Sequence, residues 1–185
     1  MQKIEMGNIK KDIIIKKYTE SKIKNRCKII VPLGFFIAVL DQEGNIKFSH
    51  ESRNEPFRKL TDIYFIRQRI TEPEPWGTSN IQYIDQDSGL KRNMGANGNI
   101  FFYVKSPIKI VRQTANIGNK ISVEDIIGLL KPKIDVIIKK LIPQHILGLN
   151  LEQTSQLIKE SLCCVFDEYG LIIDNFSINR VVFYE

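Results

Sequence analysis

The sequence predicts an α+β fold, in which a curved, mainly antiparallel sheet carries one short helix and two longer helices packed on it. Three observations support this prediction. Short runs rich in Val, Ile and Phe, separated by turn residues, fill the chain as far as Lys105. Helical periodicity then dominates from Pro107 to Tyr169. After Gly170 the period changes back to that of a strand, which completes an order of strands, helices and a final strand.

The strand region divides at turn residues. Ile13–Lys17 fits a short strand or a turn of helix, and a polar loop is expected at Ser49–Lys59. Thr71–Pro75 carries two prolines and is expected to be extended or looped. The other predicted strands are Arg26–Pro32, Phe35–Leu40, Ile46–Ser49, Thr61–Arg69, Ile81–Asp85 and Leu90–Lys105, and in the last of these Gly95 and Gly98 predict bulges or bends.

Each helix has a start signal. Ser106 followed by Pro107 begins the short helix, Ser122 caps the second, and Asn150 caps the third with Gln153 as its reciprocal partner. Pro132 inside the second helix predicts a kink or a break. The predicted apolar stripe of the second helix is Val123, Ile127, Leu130, Ile134, Ile137 and Leu141. That of the third is Leu151, Ile158, Leu162, Val165 and Tyr169.

A left-handed Gly170 is expected to end the third helix and to open the final strand. Its inward positions are predicted to be Leu171, Ile173, Phe176 and Ile178, with a bulge near Asp174–Asn175 where the spacing changes.

The length of 185 residues suits one domain. We expect residues 1–12 to be a flexible N-terminus, residues 13–182 to form the domain, and residues 183–185 to be a short C-terminal end. The longest apolar stretch is far shorter than the roughly 20 residues of a spanning helix.

The net charge of +6 fits an anionic membrane surface, nucleic acid, or simply a Lys- and Ile-rich composition. The basic residues are dispersed, so no nucleic-acid partner is expected.

The residue types do not suggest catalysis or a cofactor. No phosphate-binding or nucleophile motif is present, and His50 and His145 have no ligand at metal-site spacing. The chain is therefore predicted to be no enzyme and to hold neither metal nor cofactor. The cysteines (Cys27, Cys163 and Cys164) are interpreted as buried small residues in a reducing compartment. The acidic residues Glu72, Glu74, Asp85 and Asp87 flank turns and prolines and are interpreted as solvated.

Three stretches together resemble the SPFH domain of the stomatin, prohibitin and flotillin (band-seven) superfamily, within it the bacterial virion-core-protein-like branch. These are TDIYFIRQRITEPEPWGTSNIQYID, ANGNIFFYVKSPIKIV and FDEYGLIIDNFSI. The resemblance covers about Ile13 to Val182. Two features depart from it: the loop after Ile46 lacks a Pro-Gly-Tyr stretch, and Ser106 stands where an Asp is usual. No coiled coil or zinc-ribbon tail occurs in these residues.

The resemblance implies a non-enzymatic scaffold that self-associates and organises partners at a membrane surface. It implies a cytoplasmic protein, peripheral on the inner face of the cell membrane, whose partners are itself, anionic lipid or a membrane-bound protein. The alternative is a soluble binding module for an anionic ligand or nucleic acid.

The candidate contact residues are Trp76, Lys131, Lys133, Lys139 and Lys140. For Trp76 we favour packing beneath the loop between two strands, and for the lysines an ordinary solvated helix face.

Overall fold

The computed structural model describes residues 2–7, 9–19, 27–41, 43–50, 60–145 and 150–184. These residues confirm the α+β class, with mainly antiparallel open sheets and three helices. The strands are β1 (Gln2–Ile4), β2 (Ile13–Thr19), β3 (Cys27–Ile29), β4 (Phe35–Asp41), β5 (Ile46–Ser49), β6 (Leu60–Arg67), β7 (Glu74–Ile84), β8 (Lys91–Val104), β9 (Lys120–Ser122) and β10 (Leu171–Phe183). The helices are α1 (Pro107–Thr114), α2 (Val123–His145) and α3 (Leu151–Glu168). The polar loop predicted at Ser49–Lys59 falls largely outside the described residues.

The chain divides into two compact units. The expectation of one domain over residues 13–182 stays a prediction. The first unit contains the described parts of Met1–Thr71 together with Tyr103–Ile126 and Tyr169–Leu171. The second contains Glu72–Phe102, the described parts of Ile127–Glu168 and the described parts of Ile172–Glu185.

A five-stranded antiparallel sheet forms the centre of the first unit. Its strand order is β5-β4-β6-β2-β9, so β6 lies in the middle. Apolar side chains on both faces of β6 are buried, with Ile63 and Phe65 on one face and Tyr64 and Ile66 on the other. The segment 13–17, for which strand and helix were both open, is therefore part of strand β2.

The segment expected to be a flexible N-terminus contains a short strand and two core residues. Gln2–Ile4 forms β1, which pairs in parallel with β3, and this small parallel pair lies outside the antiparallel pattern. Ile4 and Met6 are buried in a core cluster that also contains Ile29, Phe35 and Phe65. Ile4 and Met6 stand in a polar stretch and give no period, so the sequence did not indicate β1. The flexibility expected for residues 1–12 stays a prediction.

The start of α1 and the end of α3 fit their predicted signals. Ser106 Oγ accepts a hydrogen bond from Lys109 N at 3.4 Å, and Pro107 follows as the first helical residue. Gly170 has a φ of 73°, and its carbonyl accepts from both Lys105 N and Ser106 N at 2.8 and 2.9 Å. A Cβ at Gly170 would lie 2.5 Å from Ser106 O, so both its conformation and its surroundings require glycine.

The second unit contains a three-stranded sheet of order β10-β8-β7. β7 begins at Glu74, so the end of the Thr71–Pro75 stretch is extended, which is one of the two predicted alternatives. The register shift between β7 and β8 lies between Thr78 and Ile81, which pair with Ala96 and Met94, so it falls opposite Gly95, one of the two positions where a bulge or bend was predicted. A Cβ at Gly98 would lie 1.8 Å from Ser177 O, so this glycine permits a close approach of backbones.

Helix α3 is capped as predicted but buries a different set of side chains. Asn150 Oδ1 accepts from Gln153 N at 2.8 Å, and Gln153 Oε1 accepts from Asn150 N at 3.4 Å. Leu151 is exposed and Phe166 is fully buried, where its ring meets that of Phe102 edge-on. The buried residues of α3 are Thr154, Ser155, Ile158, Leu162 and Phe166. Ser155 was missed because its hydroxyl is buried in order to accept from Ile178 N at 2.9 Å.

In β10 the four predicted inward residues are all buried, which confirms the pattern. Asp174 and Asn175 are both exposed between them. The bulge itself remains a prediction.

Candidate functional site

The candidate contact surface lies on α2, and its position depends on how that helix begins. Ser122 Oγ accepts from Asp125 N at 3.1 Å, while Asp125 Oδ2 accepts from Ser122 N and from its hydroxyl, both at 2.8 Å. This reciprocal arrangement confirms Ser122 as the cap. The helix also gains from Glu124 and Asp125, which place negative charge at its positive end.

The inner face of α2 differs from the predicted stripe. Val123, Leu130 and Ile134 are buried as predicted, but Ile127, Ile137 and Leu141 are only partly buried. The remaining buried positions are Ile126, Ile138 and Ile142. Isoleucines stand at both sets of positions, so periodicity alone could not fix the rotation of the helix.

Pro132 does not break α2, which runs without interruption from Val123 to His145. Of the predicted kink or break, the break was therefore wrong, and the kink stays a prediction. The proline is exposed, as are its neighbours Lys131 and Lys133.

The outer face of α2 combines lysines with apolar side chains. Lys131, Lys133, Lys139 and Lys140 are all exposed. Val136 is 68% exposed and Leu129 is 38% exposed on the same helix. We call this set of six residues the α2 outer face.

One of these four lysines is neutralised. The Lys133 ammonium forms an ion pair with Glu168 of α3. No described side chain forms an ion pair or hydrogen bond with the ammonium groups of Lys131, Lys139 or Lys140. At 100° per residue Lys139 and Lys140 lie on the same side of the helix as Val136, whereas Lys131 lies about 140° around it. Two uncompensated charges can therefore meet one anionic partner, although an ordinary solvated helix face has the same appearance.

Trp76 lies inside strand β7, not beneath a loop. Its indole stacks on the ring of Phe176, with centroids 4.9 Å apart and planes 14° apart, and its Nε1 donates to Ser177 O at 3.2 Å. Only 8% of the residue is exposed. Trp76 is therefore a less suitable contact residue than the exposed lysines, because a packed indole has little surface left for a membrane or a partner.

Two further groups of residues were weighed in the sequence. Cys163 and Cys164 are both exposed on α3, so their interpretation as buried residues was wrong. The side chain of Cys27 is not among those that the structure describes. Asp85 closes the turn between β7 and β8 by accepting from Ser88 N at 2.8 Å. That hydrogen bond and others from the same turn lower the pKa of Asp85, which marks it as a structural turn residue.

Sequence reasoning missed one concave site. Three lysines that are distant in the chain, Lys10, Lys16 and Lys120, line one cavity of about 400 Å³ in the first unit. Lys16 and Lys120 are direct partners in the pairing of β2 with β9. No signal in the sequence indicates that these lysines lie close together, because only the pairing of the two strands brings them there.

Within the described residues, no three or more His, Cys, Asp and Glu side chains form a group suited to a metal ion. In the same residues no helix has the length and apolar character needed to span a bilayer.

A family model described as the SPFH domain-Band 7 family matches residues 43–185. The chain belongs to this family. The match runs from the turn before β5 to the C-terminal end, and it therefore includes the whole of α2 and Trp76. Members of the SPFH domain-Band 7 family are in general membrane-associated, non-enzymatic scaffolds. No curated protein matches the chain.

Proposed function

We propose that this SPFH-domain protein is a non-enzymatic scaffold that self-associates and organises partner proteins at a membrane surface. We place it on the cytoplasmic side, peripheral on the inner face of the cell membrane, and in the bacterial virion-core-protein-like branch. Membership of the SPFH domain-Band 7 family is the observation that carries the proposal. The branch rests on the three sequence stretches that resemble it.

The α2 outer face is the proposed contact with the membrane or with a membrane-bound partner. Lysines near an anionic bilayer contribute about 1 kcal/mol each to binding. Lys131, Lys139 and Lys140 have no described counter-charge that would have to be displaced first. Val136 and Leu129 add apolar area that can reach the boundary between headgroups and acyl chains.

Flotation with vesicles tests the membrane contact. The chain should float with phosphatidylcholine vesicles that contain phosphatidylglycerol and should not float with pure phosphatidylcholine. Lys139→Gln with Lys140→Gln should weaken this binding about tenfold to thirtyfold, since two lysines are removed. The control variant, Lys47→Gln with Lys91→Gln, makes the same charge change on two exposed strand residues outside α2. Equal losses in the two variants would refute a specific contact through α2.

Sedimentation analysis tests self-association separately. Species larger than the 21.4 kDa chain should grow with protein concentration. A protein that stays monomeric at tens of micromolar, with and without anionic vesicles, would contradict the scaffold proposal.

A further inference from the structure

The cavity lined by Lys10, Lys16 and Lys120 belongs to the first unit. It measures about 400 Å³, within the size range of pockets that hold small molecules. Its wall combines a turn at residues 10–13, strand β2 and the start of β9. Lys10 and Lys16 precede the segment that the family model matches, so family membership does not account for the site.

The backbone around the cavity is fixed by hydrogen bonds. Arg67 Nε donates to Ile13 O at 3.2 Å, and a second guanidinium nitrogen donates to Lys10 O at 3.4 Å. On the other side Lys17 N donates to Asn119 O at 2.8 Å, which holds the chain just before β9. The lysines therefore project from a turn and two strands whose positions are set before any ligand arrives.

The placement of charge at this cavity is unfavourable unless an anion is present. Lys16 and Lys120 are cross-strand partners, so their side chains leave the same face of the sheet close to each other. Like charges directly opposite in an antiparallel pair destabilise the pair. Lys10 adds a third positive charge on the same cavity, and no described carboxylate forms an ion pair with any of the three lysines.

Lys16 also has hydrogen-bonding capacity to spare. Its ammonium donates to Met6 O at 2.5 Å and lies 5.0 Å from the ring centroid of Tyr18. These two contacts position the ammonium, yet they satisfy only one of its three N–H donors with an oxygen. The remaining donors are available to a ligand with several acceptor oxygens.

Among the residues that the structure describes, Asp12 is the one acidic residue on the cavity wall. Its carboxylate acts electrostatically on the Arg67 guanidinium, whose pKa is lowered by burial and raised in part by Asp12. One carboxylate against three lysines leaves a net positive cavity.

We propose that this cavity binds a phosphate group, held by the ammonium groups of Lys16 and Lys120 with Lys10 at the rim. A phosphate offers several oxygens to donors that converge from different strands, and it neutralises the charge repulsion between the paired lysines. The group is carried either by a small soluble phosphate compound or by the headgroup of a phospholipid.

Two probes distinguish these sources: inorganic pyrophosphate, measured by isothermal titration calorimetry, and phosphatidylcholine vesicles containing phosphatidic acid, measured by flotation. Lys16→Gln with Lys120→Gln should weaken binding of the preferred probe by tenfold or more, as expected for the loss of charge-assisted hydrogen bonds. The control variant, Lys47→Gln with Lys91→Gln, makes the same charge change and should alter binding of that probe less than about twofold. Pyrophosphate binding that is lost in the cavity variant identifies a soluble ligand. Loss confined to vesicles identifies a lipid headgroup.

The α2 variant separates this site from the proposed membrane contact, because Lys139→Gln with Lys140→Gln should leave pyrophosphate binding unchanged. If the cavity variant proves to be unfolded by circular dichroism, Lys120→Gln alone replaces it. Lys120 is exposed, and its replacement should still lower the affinity for the preferred probe about fivefold. Binding of neither probe, or equal losses in the cavity variant and the control, would overturn the proposal.

Discussion

Replacement of Gly98 by alanine should strongly destabilise the second unit, because β10 passes directly over that position. The added Cβ would lie 1.8 Å from Ser177 O and 2.9 Å from Cζ2 of Trp76. A normal carbon–oxygen contact is about 3.4 Å, so the strand would have to move by about 1.5 Å. That movement would stretch the hydrogen bond from Trp76 Nε1 to Ser177 O and disturb the stacking of Trp76 on Phe176.

The cost can be worked out from these contacts. Overpacking costs about 1–3 kcal/mol, a hydrogen bond about 1 kcal/mol, and an aromatic pair about 0.5–1.5 kcal/mol. The sum predicts a loss of about 2.5–5.5 kcal/mol in the free energy of unfolding for Gly98→Ala.

Urea unfolding measures this loss, and the fluorescence of Trp76, the single tryptophan, reports on the affected sheet. Gly128→Ala is the matched control. A Cβ at Gly128 meets nothing within 4 Å, and alanine in the interior of helix α2 should stabilise it by about 0.5–1 kcal/mol. If Gly98→Ala changes stability by less than about 1 kcal/mol, the close approach of β10 to β8 is refuted.

Two other changes address the helix cap and the response to acid. Asn150→Ala removes the acceptor for Gln153 N and should cost about 1 kcal/mol in urea unfolding, whereas Asn150→Asp keeps the acceptor and should not. Asp41 has a lowered pKa, chiefly because its carboxylate accepts a backbone hydrogen bond from Asn45. Its stabilising effect is therefore complete above the ordinary aspartate pKa of about 4 and is lost as pH falls through the lower folded value. Asp41→Asn should show a smaller loss of stability between pH 5 and 2 than the parent chain, and identical acid titrations monitored by circular dichroism would contradict this.

Local signals in the sequence were sufficient for the helix ends. Ser106, Ser122 and Asn150 each act on backbone groups within three residues, so the chemistry that caps a helix is contained in a short stretch. Gly170 is similar, since a left-handed residue after a helix is a local requirement. The order of the three helices and of most strands followed from the same local patterns, but β1 and β9 were not predicted.

Rotation of the helices and the contents of the cavity could not be predicted in this way. In α2, isoleucines occupy neighbouring faces, and only packing decided that Ile126 and Ile138 are buried and that Ile127 and Ile137 are partly exposed. The meeting of Lys16 with Lys120 depends on the register of two strands that are far apart in sequence. The four lysines of the α2 outer face were identifiable because they lie on a single helix.

The pairing of β2 with β9 also bears on how the chain folds. Ile13 pairs with Ser122, so most of the first unit must be synthesised before the outer edge of β2 is covered. Contacts between such distant residues form only after a large loss of chain entropy, and this loss precedes the favourable energy of the contacts. Folding is therefore slowed. Until β9 arrives, β2 presents an uncovered strand edge on the growing chain, and the charge of Lys16 on this strand discourages premature association there.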